Sequence, residues 1–157
     1  MIDGVSFKDL VRHPDERGFF EEIIRVSDLF FSEGFGQLSR SNMHTGVVKA
    51  WHVHKTQIDW WYVVQGSVKV VLYDAREKSS TYQTLDEYLL GDEGRQCILK
   101  IPSGVAHGLK VLKGPADLVY VTSGMYTKEE EGRIAYNDST IGYDWVQGME
   151  ITNKNIT

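Results

Sequence analysis

Alternating apolar and polar side chains divide the chain into short runs, separated by turns that contain glycine, proline, asparagine or aspartate. Such runs, rich in β-branched and aromatic residues, are typical of β-strands, although Phe19–Val26 also fits a short helix. Strands are predicted at Val5–Val11, Phe19–Val26, Gln37–Asn42, Trp60–Val64, Ser67–Tyr73, Cys97–Ile101, Gly108–Leu112 and Leu118–Thr122, and a short strand with a turn is predicted at Thr81–Leu90. Their spacing of roughly ten residues predicts an all-β sandwich or barrel.

Two local signals add turns to this pattern. Gly66 lies between the runs Trp60–Val64 and Ser67–Tyr73, which predicts that the two runs form the arms of a hairpin. Asp28 is a good helix N-cap residue and precedes Leu29–Phe31. A single helical turn is therefore predicted at Leu29–Phe31.

Two polar stretches lead to different interpretations. Polar residues alternate along Gln37–Asn42, which predicts a strand whose side chains face a polar cavity. Glu129–Glu131 is an acidic run before a glycine. A run of like charges of this kind favours a solvated loop or helix end over a functional role.

Composition narrows the class of protein. A chain of 157 residues with 41% hydrophobic residues suits one domain, residues 1–157, with a sizeable core. The net charge of −5 argues against a general nucleic-acid-binding surface. No apolar run is long enough to span a membrane, and the first residues lack a signal-peptide pattern, so a cytoplasmic protein is expected. The single Cys97 excludes an intrachain disulfide.

The stretch from Gly46 to Gly66 carries the main candidate chemistry. His52 and His54 are two residues apart, so in an extended strand both imidazoles project to the same face. Together with Asp59 they match the spacing of the first cupin signature: Gly, five residues, His-x-His, four residues, a carboxylate, six residues, Gly. Aspartate stands here where that signature has glutamate.

A second block of the same kind follows near residue 100. Pro102, Gly104 and His107 match the Pro-x-Gly-x-x-His part of the second cupin signature. Paired blocks of this type predict a cupin barrel. Three imidazoles and one carboxylate suit a divalent ion such as Zn, Fe, Mn or Ni. One hypothesis is therefore a metal-dependent cupin, with His52, His54, Asp59 and His107 as its ligands.

Five ordered blocks resemble one cupin family more closely: Asp15–Glu22, Gly46–His52, Tyr73–Tyr82, Gly94–Leu112 and Asn137–Trp145. The chain resembles the dTDP-4-dehydrorhamnose 3,5-epimerases, as a divergent member. The resemblance implies a homodimeric cupin barrel that acts on a nucleotide-linked 4-keto-6-deoxyhexose without a metal or other cofactor. It also implies inversion at C3, or at C3 and C5, for the synthesis of cell-surface polysaccharide such as lipopolysaccharide O-antigen.

The resemblance further assigns catalytic roles. His52 falls on the family's general base, and Tyr120 falls on its tyrosine acid. A base removes a proton beside the C4 ketone, and an acid returns one to the other face of the enolate. The carboxylate that orients the histidine in the family corresponds to Asn155 here. An amide can orient an imidazole, but it does not stabilise the imidazolium.

Substrate-binding positions also follow from the resemblance. They are Arg17, Gln37 and Lys49 for nucleotide or phosphate, Tyr126 for stacking on the base, and Ser39, His54, Asp59 and His107 in the pocket. Lys49 replaces an arginine, Ser39 an asparagine, His54 a glutamine and Asp59 a lysine. Because an anion at Asp59 would oppose a developing oxyanion, a second hypothesis is a catalytically impaired member that binds a nucleotide sugar.

Overall fold

Residues 1–146 are described by a computed structural model, and almost all of their regular structure is β-strand. The described part of the chain has one helical element, a 3₁₀ turn at Leu29–Phe31. The strands are β1 (Ser6–Asp9), β2 (Arg12–Asp15), β3 (Gly18–Glu21), β4 (Gln37–Met43), β5 (Val48–His54), β6 (Asp59–Asp74), β7 (Leu85–Gly91), β8 (Cys97–Ile101), β9 (Val105–Thr122) and β10 (Glu131–Arg133).

Two long antiparallel strands, β6 and β9, organise the molecule. The first half of β6 pairs with β8 and with the second half of β9, which in turn pairs with β4. The second half of β6 pairs with β7 and with the first half of β9, which in turn pairs with β5. Strands β1 and β10 extend the outer edges. This arrangement of two sheet halves confirms the predicted all-β cupin, or jelly-roll, barrel.

The predicted hairpin at Gly66 is wrong, because β6 continues through this residue. Gly66 has a φ of +82°, and the register with β9 shifts on both sides of it. A Cβ atom at this position would lie 2.7 Å from the Lys113 carbonyl oxygen. The glycine therefore makes a bend within one strand, since both halves of β6 find a partner in β9.

The same bend explains why β9 was predicted as two strands. Gly114 and Pro115 interrupt the apolar pattern and read as a turn between Gly108–Leu112 and Leu118–Thr122. In the fold they lie opposite Gly66, where β6 and β9 are locally out of register. Pro115 has no N–H to donate, and this is the point of the ladder where none is required.

The main hydrophobic core lies between the two halves of the barrel. Trp61, Val63 and Leu118 contribute from one half, and Val70 and Leu109 from the other. A second cluster packs Trp51 against Trp145 and Tyr143, which fixes the segment before residue 146 against β5. The core thus holds β5, β6 and β9 as a rigid support for the side chains that they share.

The shorter elements agree in part with the sequence pattern. The Asp28 carboxylate accepts a hydrogen bond from the Phe30 amide at 3.1 Å, which confirms the predicted helical turn. Strand β3 ends at Glu21, so the predicted run to Val26 is too long. No helix in residues 1–146 is long and apolar enough to cross a membrane.

Candidate active site

A cavity of about 560 Å³ opens at one side of the barrel. Strands β4, β5, β6 and β9 form its walls, and the segment from Tyr126 to Tyr136 closes one edge. His52, His54, Asp59 and His107 all line it. The structure therefore brings together the four residues that the two cupin signatures single out.

Strand β4 provides a polar wall, as its alternation predicts. Gln37, Ser39 and Ser41 are half-buried, and the intervening residues are exposed. The Gln37 side-chain amide donates to Ser39 Oγ at 2.8 Å, and its oxygen accepts from the Tyr126 backbone amide at 3.2 Å. Lys49 Nζ donates to Ser41 Oγ at 2.7 Å at the edge of the cavity.

His52 is held by a carboxylate from a neighbouring strand. Strand β10 pairs with β5 and places Glu131 on the same face as His52. Glu131 Oε1 lies 3.1 Å from His52 Nδ1, and Arg133 Nη2 donates to the same oxygen at 3.2 Å. Because a carboxylate only accepts, Nδ1 carries the proton when His52 is neutral, and Nε2 keeps its lone pair.

Burial and charge act in opposite directions on this histidine. Burial lowers the pKa of His52 below its ordinary value, and the charge of Glu131 only partly offsets that effect. For Glu131, hydrogen bonds from Arg133 and Tyr126 outweigh burial and lower the pKa of its carboxyl. The pair is therefore a neutral imidazole beside a carboxylate at neutral pH, which is the state required of a general base.

Deeper in the cavity, Asp59 lies between two histidines. Its Oδ1 is 3.6 Å from His54 Nε2, and its Oδ2 is 3.7 Å from His107 Nε2. Trp61 Nε1 donates to Oδ2 at 3.1 Å, whereas Oδ1 has no hydrogen-bond partner in the described part of the chain. His107 Nδ1 donates to the Val105 carbonyl at 3.0 Å. One nitrogen from each histidine and one Asp59 oxygen lie within 4.8 Å of one another.

The protonation states differ within this cluster. Burial lowers the pKa of His107 to about 4, because its imidazolium would lose nearly all hydration. Burial also acts to lower the pKa of His54, but attraction to Asp59 outweighs it and raises that pKa. For Asp59, burial acts to raise the pKa of the carboxyl, and His54 and His107 together lower it.

Of the remaining predicted site residues, two line the cavity, one lies outside it and one is not described. Tyr120 lies on β9, half-buried, and lines the cavity. Tyr126 lines the rim of the cavity and is 60% exposed, so its ring is accessible to a ligand. Arg17 is outside the cavity, in the β2–β3 turn, where it pairs with Asp15 and is 81% exposed. Asn155 lies outside the residues that the structure describes.

The interpretation of Glu129–Glu131 as a solvated loop or helix end is wrong for Glu131, which begins β10. Glu130 accepts hydrogen bonds from the Thr56 amide and hydroxyl at 3.0 and 2.9 Å, and Glu131 holds His52. A carboxylate partner for His52 thus lies on β10. The acidic run itself carried no signal for this role, because only the pairing of β10 with β5 brings Glu131 to the histidine.

Comparisons with known proteins agree with this architecture. A family model described as dTDP-4-dehydrorhamnose 3,5-epimerase matches residues 1–156. The spore coat polysaccharide biosynthesis protein SpsL of Bacillus subtilis is 45% identical over 148 residues, covering 92% of this chain and 97% of that protein.

Solved structures share the fold over nearly the whole chain. A dTDP sugar isomerase from Desulfovibrio desulfuricans superposes with a TM-score of 0.87 at 29% identity, covering 94% of each chain. The dTDP-6-deoxy-D-glucose-3,5-epimerase of Legionella pneumophila, in complex with dTDP-4-keto-L-rhamnose, gives a TM-score of 0.82 at 29% identity. That match covers 99% of this chain and 85% of the other.

Proposed function

Because the chain belongs to the dTDP-4-dehydrorhamnose 3,5-epimerase family, we propose that it epimerises a nucleotide-linked 4-keto-6-deoxyhexose at C3, or at C3 and C5. The observation that carries this proposal is the His52–Glu131 pair on the wall of the cavity. It is an oriented base in a concave site, and proton abstraction beside a ketone needs such a base.

The proposed reaction is a proton exchange through an enolate. His52 Nε2 removes the proton from the carbon beside the C4 ketone, and the electron pair of that C–H bond moves into the enolate. Glu131 stabilises the imidazolium that forms. The Tyr120 hydroxyl then returns a proton to the opposite face of the carbon, which inverts the centre.

Two features support a nucleotide-linked substrate. A cavity of about 560 Å³ is large enough to enclose part of a sugar nucleotide, and the rest of the ligand would lie at the open rim. At that rim Tyr126 offers an exposed ring for the base, and Lys49 offers a cation for phosphate. The structure of the Legionella relative contains bound dTDP-4-keto-L-rhamnose, a compound of the substrate class proposed here.

The setting of the reaction is also proposed. The Bacillus relative is a spore coat polysaccharide biosynthesis protein, which favours the broad class of surface polysaccharide for this chain. Lipopolysaccharide O-antigen, homodimer formation and a cytoplasmic location stay predictions. Arg17 finds no ligand role in the cavity of a single chain, so its contact with a nucleotide also stays a prediction.

The test is proton exchange followed by NMR in heavy water. The protein is incubated with dTDP-, UDP-, GDP- and CDP-linked 4-keto-6-deoxyhexoses, and loss of the C3 and C5 proton signals is recorded. We expect exchange at C3 with at least one of these compounds. Binding of a nucleotide sugar without exchange at either carbon would instead support the catalytically impaired family member.

A further inference from the structure

We propose that His54, Asp59 and His107 form a binding site for a divalent transition-metal ion. Their potential ligand atoms, one from each residue, lie within 4.8 Å of one another. All three side chains are at most 14% exposed and line the floor of the cavity. This proposal departs from the expectation, drawn from the family resemblance, that the protein works without a metal.

Hydrogen bonds from outside the cluster prepare two of the three ligands. His107 Nδ1 donates to the Val105 carbonyl at 3.0 Å, so the lone pair of Nε2 faces Asp59. Trp61 donates to Asp59 Oδ2 at 3.1 Å, which leaves Oδ1 for a further partner. Metal-binding histidines and carboxylates commonly have such outer partners, which fix the tautomer and the orientation of the ligand atom.

The cluster also leaves buried polar atoms without partners. Asp59 Oδ1 and His54 Nδ1 have no hydrogen-bond partner among the described residues. A buried carboxylate oxygen without a donor is costly, as is a lone pair of His107 aimed at a carboxylate. A cation between the three residues would satisfy Asp59 Oδ1 and the His107 lone pair together.

The fourth candidate ligand of the cupin signatures is not part of this group. His52 uses Nδ1 for Glu131, and its ring stacks on His107 with 6.2 Å between ring centroids. His52 is therefore a neighbour of the proposed ion, and it stays free to act as a base. The geometry separates the metal ligands from the base, which the sequence spacing alone did not.

The set of donors indicates which ions fit. Two imidazoles and one carboxylate suit Zn²⁺, Fe²⁺, Co²⁺, Ni²⁺ or Mn²⁺ better than Ca²⁺ or Mg²⁺, which prefer oxygen ligands. Ligands of one such ion lie about 3 to 3.5 Å apart. The separations of 3.6 Å and 3.7 Å involve different oxygens of Asp59, and one ligand atom from each residue lies within 4.8 Å of the others, so the side chains must move inward to bind one ion.

A role for the ion in the reaction rests on the proposed function. Three protein ligands leave coordination positions open, and here these would face the cavity. A ketone oxygen becomes negatively charged as His52 removes the neighbouring proton. A cation close to that oxygen would stabilise the charge and so assist the proposed epimerisation.

The test begins with the tag-free protein, stripped of metal with a chelator and titrated with Co²⁺ or Zn²⁺. Cobalt bound by two imidazoles and a carboxylate gives visible d–d absorption, and calorimetry gives the stoichiometry. We expect one ion per chain. Wild-type protein that binds less than a tenth of an equivalent of either ion, at concentrations where it is folded, would overturn the proposal.

Variants then locate the ion. Asp59→Asn and His54→Gln should raise the Kd for Co²⁺ on the order of 100-fold or more, since each removes a ligand. His44→Gln alters an exposed histidine outside the cavity and is the matched control, with an unchanged Kd. Circular dichroism verifies folding of each variant. Equal cobalt affinity in folded Asp59→Asn and wild-type protein would place the ion elsewhere and overturn the assignment.

The same samples separate this inference from the proposed function. Stoichiometric metal binding without proton exchange on any sugar nucleotide would uphold the site and contradict the epimerase. Exchange at an equal rate in metal-free and metal-loaded protein would uphold the epimerase and contradict the role of the ion. Exchange that falls on metal removal and returns with Zn²⁺ or Co²⁺ supports both.

Discussion

The two ends of strand β6 carry buried aspartates with opposite surroundings. Asp74, the last residue, is fully buried and accepts hydrogen bonds from the Arg76 guanidinium, the Ser79 hydroxyl and the Thr81 hydroxyl. Asp59, the first residue, is 3% exposed, and one of its oxygens accepts no hydrogen bond from residues 1–146. The complete set of donors around Asp74 indicates a structural role. The incomplete set around Asp59, facing a cavity, indicates a ligand.

The two aspartates also differ in what their neighbours can do. The partners of Asp74 lie within seven residues of it along the chain and close a local loop. Asp59 has one local donor, Trp61, but the two histidines beside it come from β5 and β9, strands that meet only in the folded barrel. The buried charge of Asp74 thus supports the fold, whereas the buried charge of Asp59 belongs to the proposed site.

The largest expected effect belongs to the Asp59 end and involves the base. His52→Asn should lower the rate of C3 proton exchange on the order of 100- to 10,000-fold, because general-base catalysis is lost. The rate is measured by NMR in heavy water. His44→Asn, at an exposed histidine, should exchange at the wild-type rate. An undiminished rate in His52→Asn would show that another group is the base.

A smaller loss is expected from Asp59→Asn. If Asp59 holds a cation beside the developing oxyanion, its replacement should slow exchange on the order of 100- to 1,000-fold. The free energy of unfolding of the metal-free protein should fall, because His54 and His107 outweigh the effect of burial on the pKa of the Asp59 carboxyl, and the fold therefore favours its charged form. Thermal melts and the NMR assay provide the two readouts. A variant that is faster than wild type would mean that the anion opposes catalysis.

Asp74→Asn is expected to destabilise the fold without slowing exchange. Removing a carboxylate with a full set of donors should lower the free energy of unfolding by about 2–4 kcal/mol. Urea denaturation measures this change. The exchange rate per folded molecule, measured well below the melting temperature, should match wild type. Loss of exchange in a folded Asp74→Asn protein would contradict a purely structural role for Asp74.

The smallest effect is a pH dependence of stability at the Asp74 end. Burial acts to raise the pKa of Asp74, but hydrogen bonds from Arg76, Ser79 and Thr81 outweigh it and hold that pKa well below its ordinary value. The stabilisation is therefore complete above the unfolded pKa of about 3.9, and it is lost as pH falls towards the folded value.

Wild type and Asp74→Asn should accordingly differ by a constant free energy of unfolding above about pH 5. Below about pH 4 the difference should shrink by up to about 1.4 kcal/mol per pH unit. Urea titrations of both proteins from pH 7 to pH 2.5 measure it. A difference that is independent of pH over this range would mean that the Asp74 carboxylate is not selectively stabilised in the fold.

The sequence predicted best where the signal is local. Strand β8 has its predicted bounds, Cys97–Ile101, and Asp28 caps the predicted helical turn. The alternation in Gln37–Asn42 correctly indicated a polar wall, because period two places every second residue on one face. The paired cupin signatures correctly predicted that His52 and His107 lie close together, since the spacing of each signature fixes the strand on which its histidine lies.

Prediction from the sequence failed where the structure of a segment depends on which strand pairs with it. Gly66 and Pro115 look like turn residues, but the pairing of β6 with β9 continues past both. Glu131 looks like a surface charge until β10 pairs with β5. A single sequence shows the residue types in these places and does not show which strand will lie beside them.

The most direct test is a crystal structure with a bound dTDP-linked deoxysugar, grown with and without Zn²⁺. The account predicts the hexose at the Asp59 end of β6, with C3 or C5 about 3–3.5 Å from His52 Nε2. It also predicts the nucleotide base against Tyr126 and zinc density between His54, Asp59 and His107. A hexose bound away from His52, with zinc absent from these three residues, would contradict it.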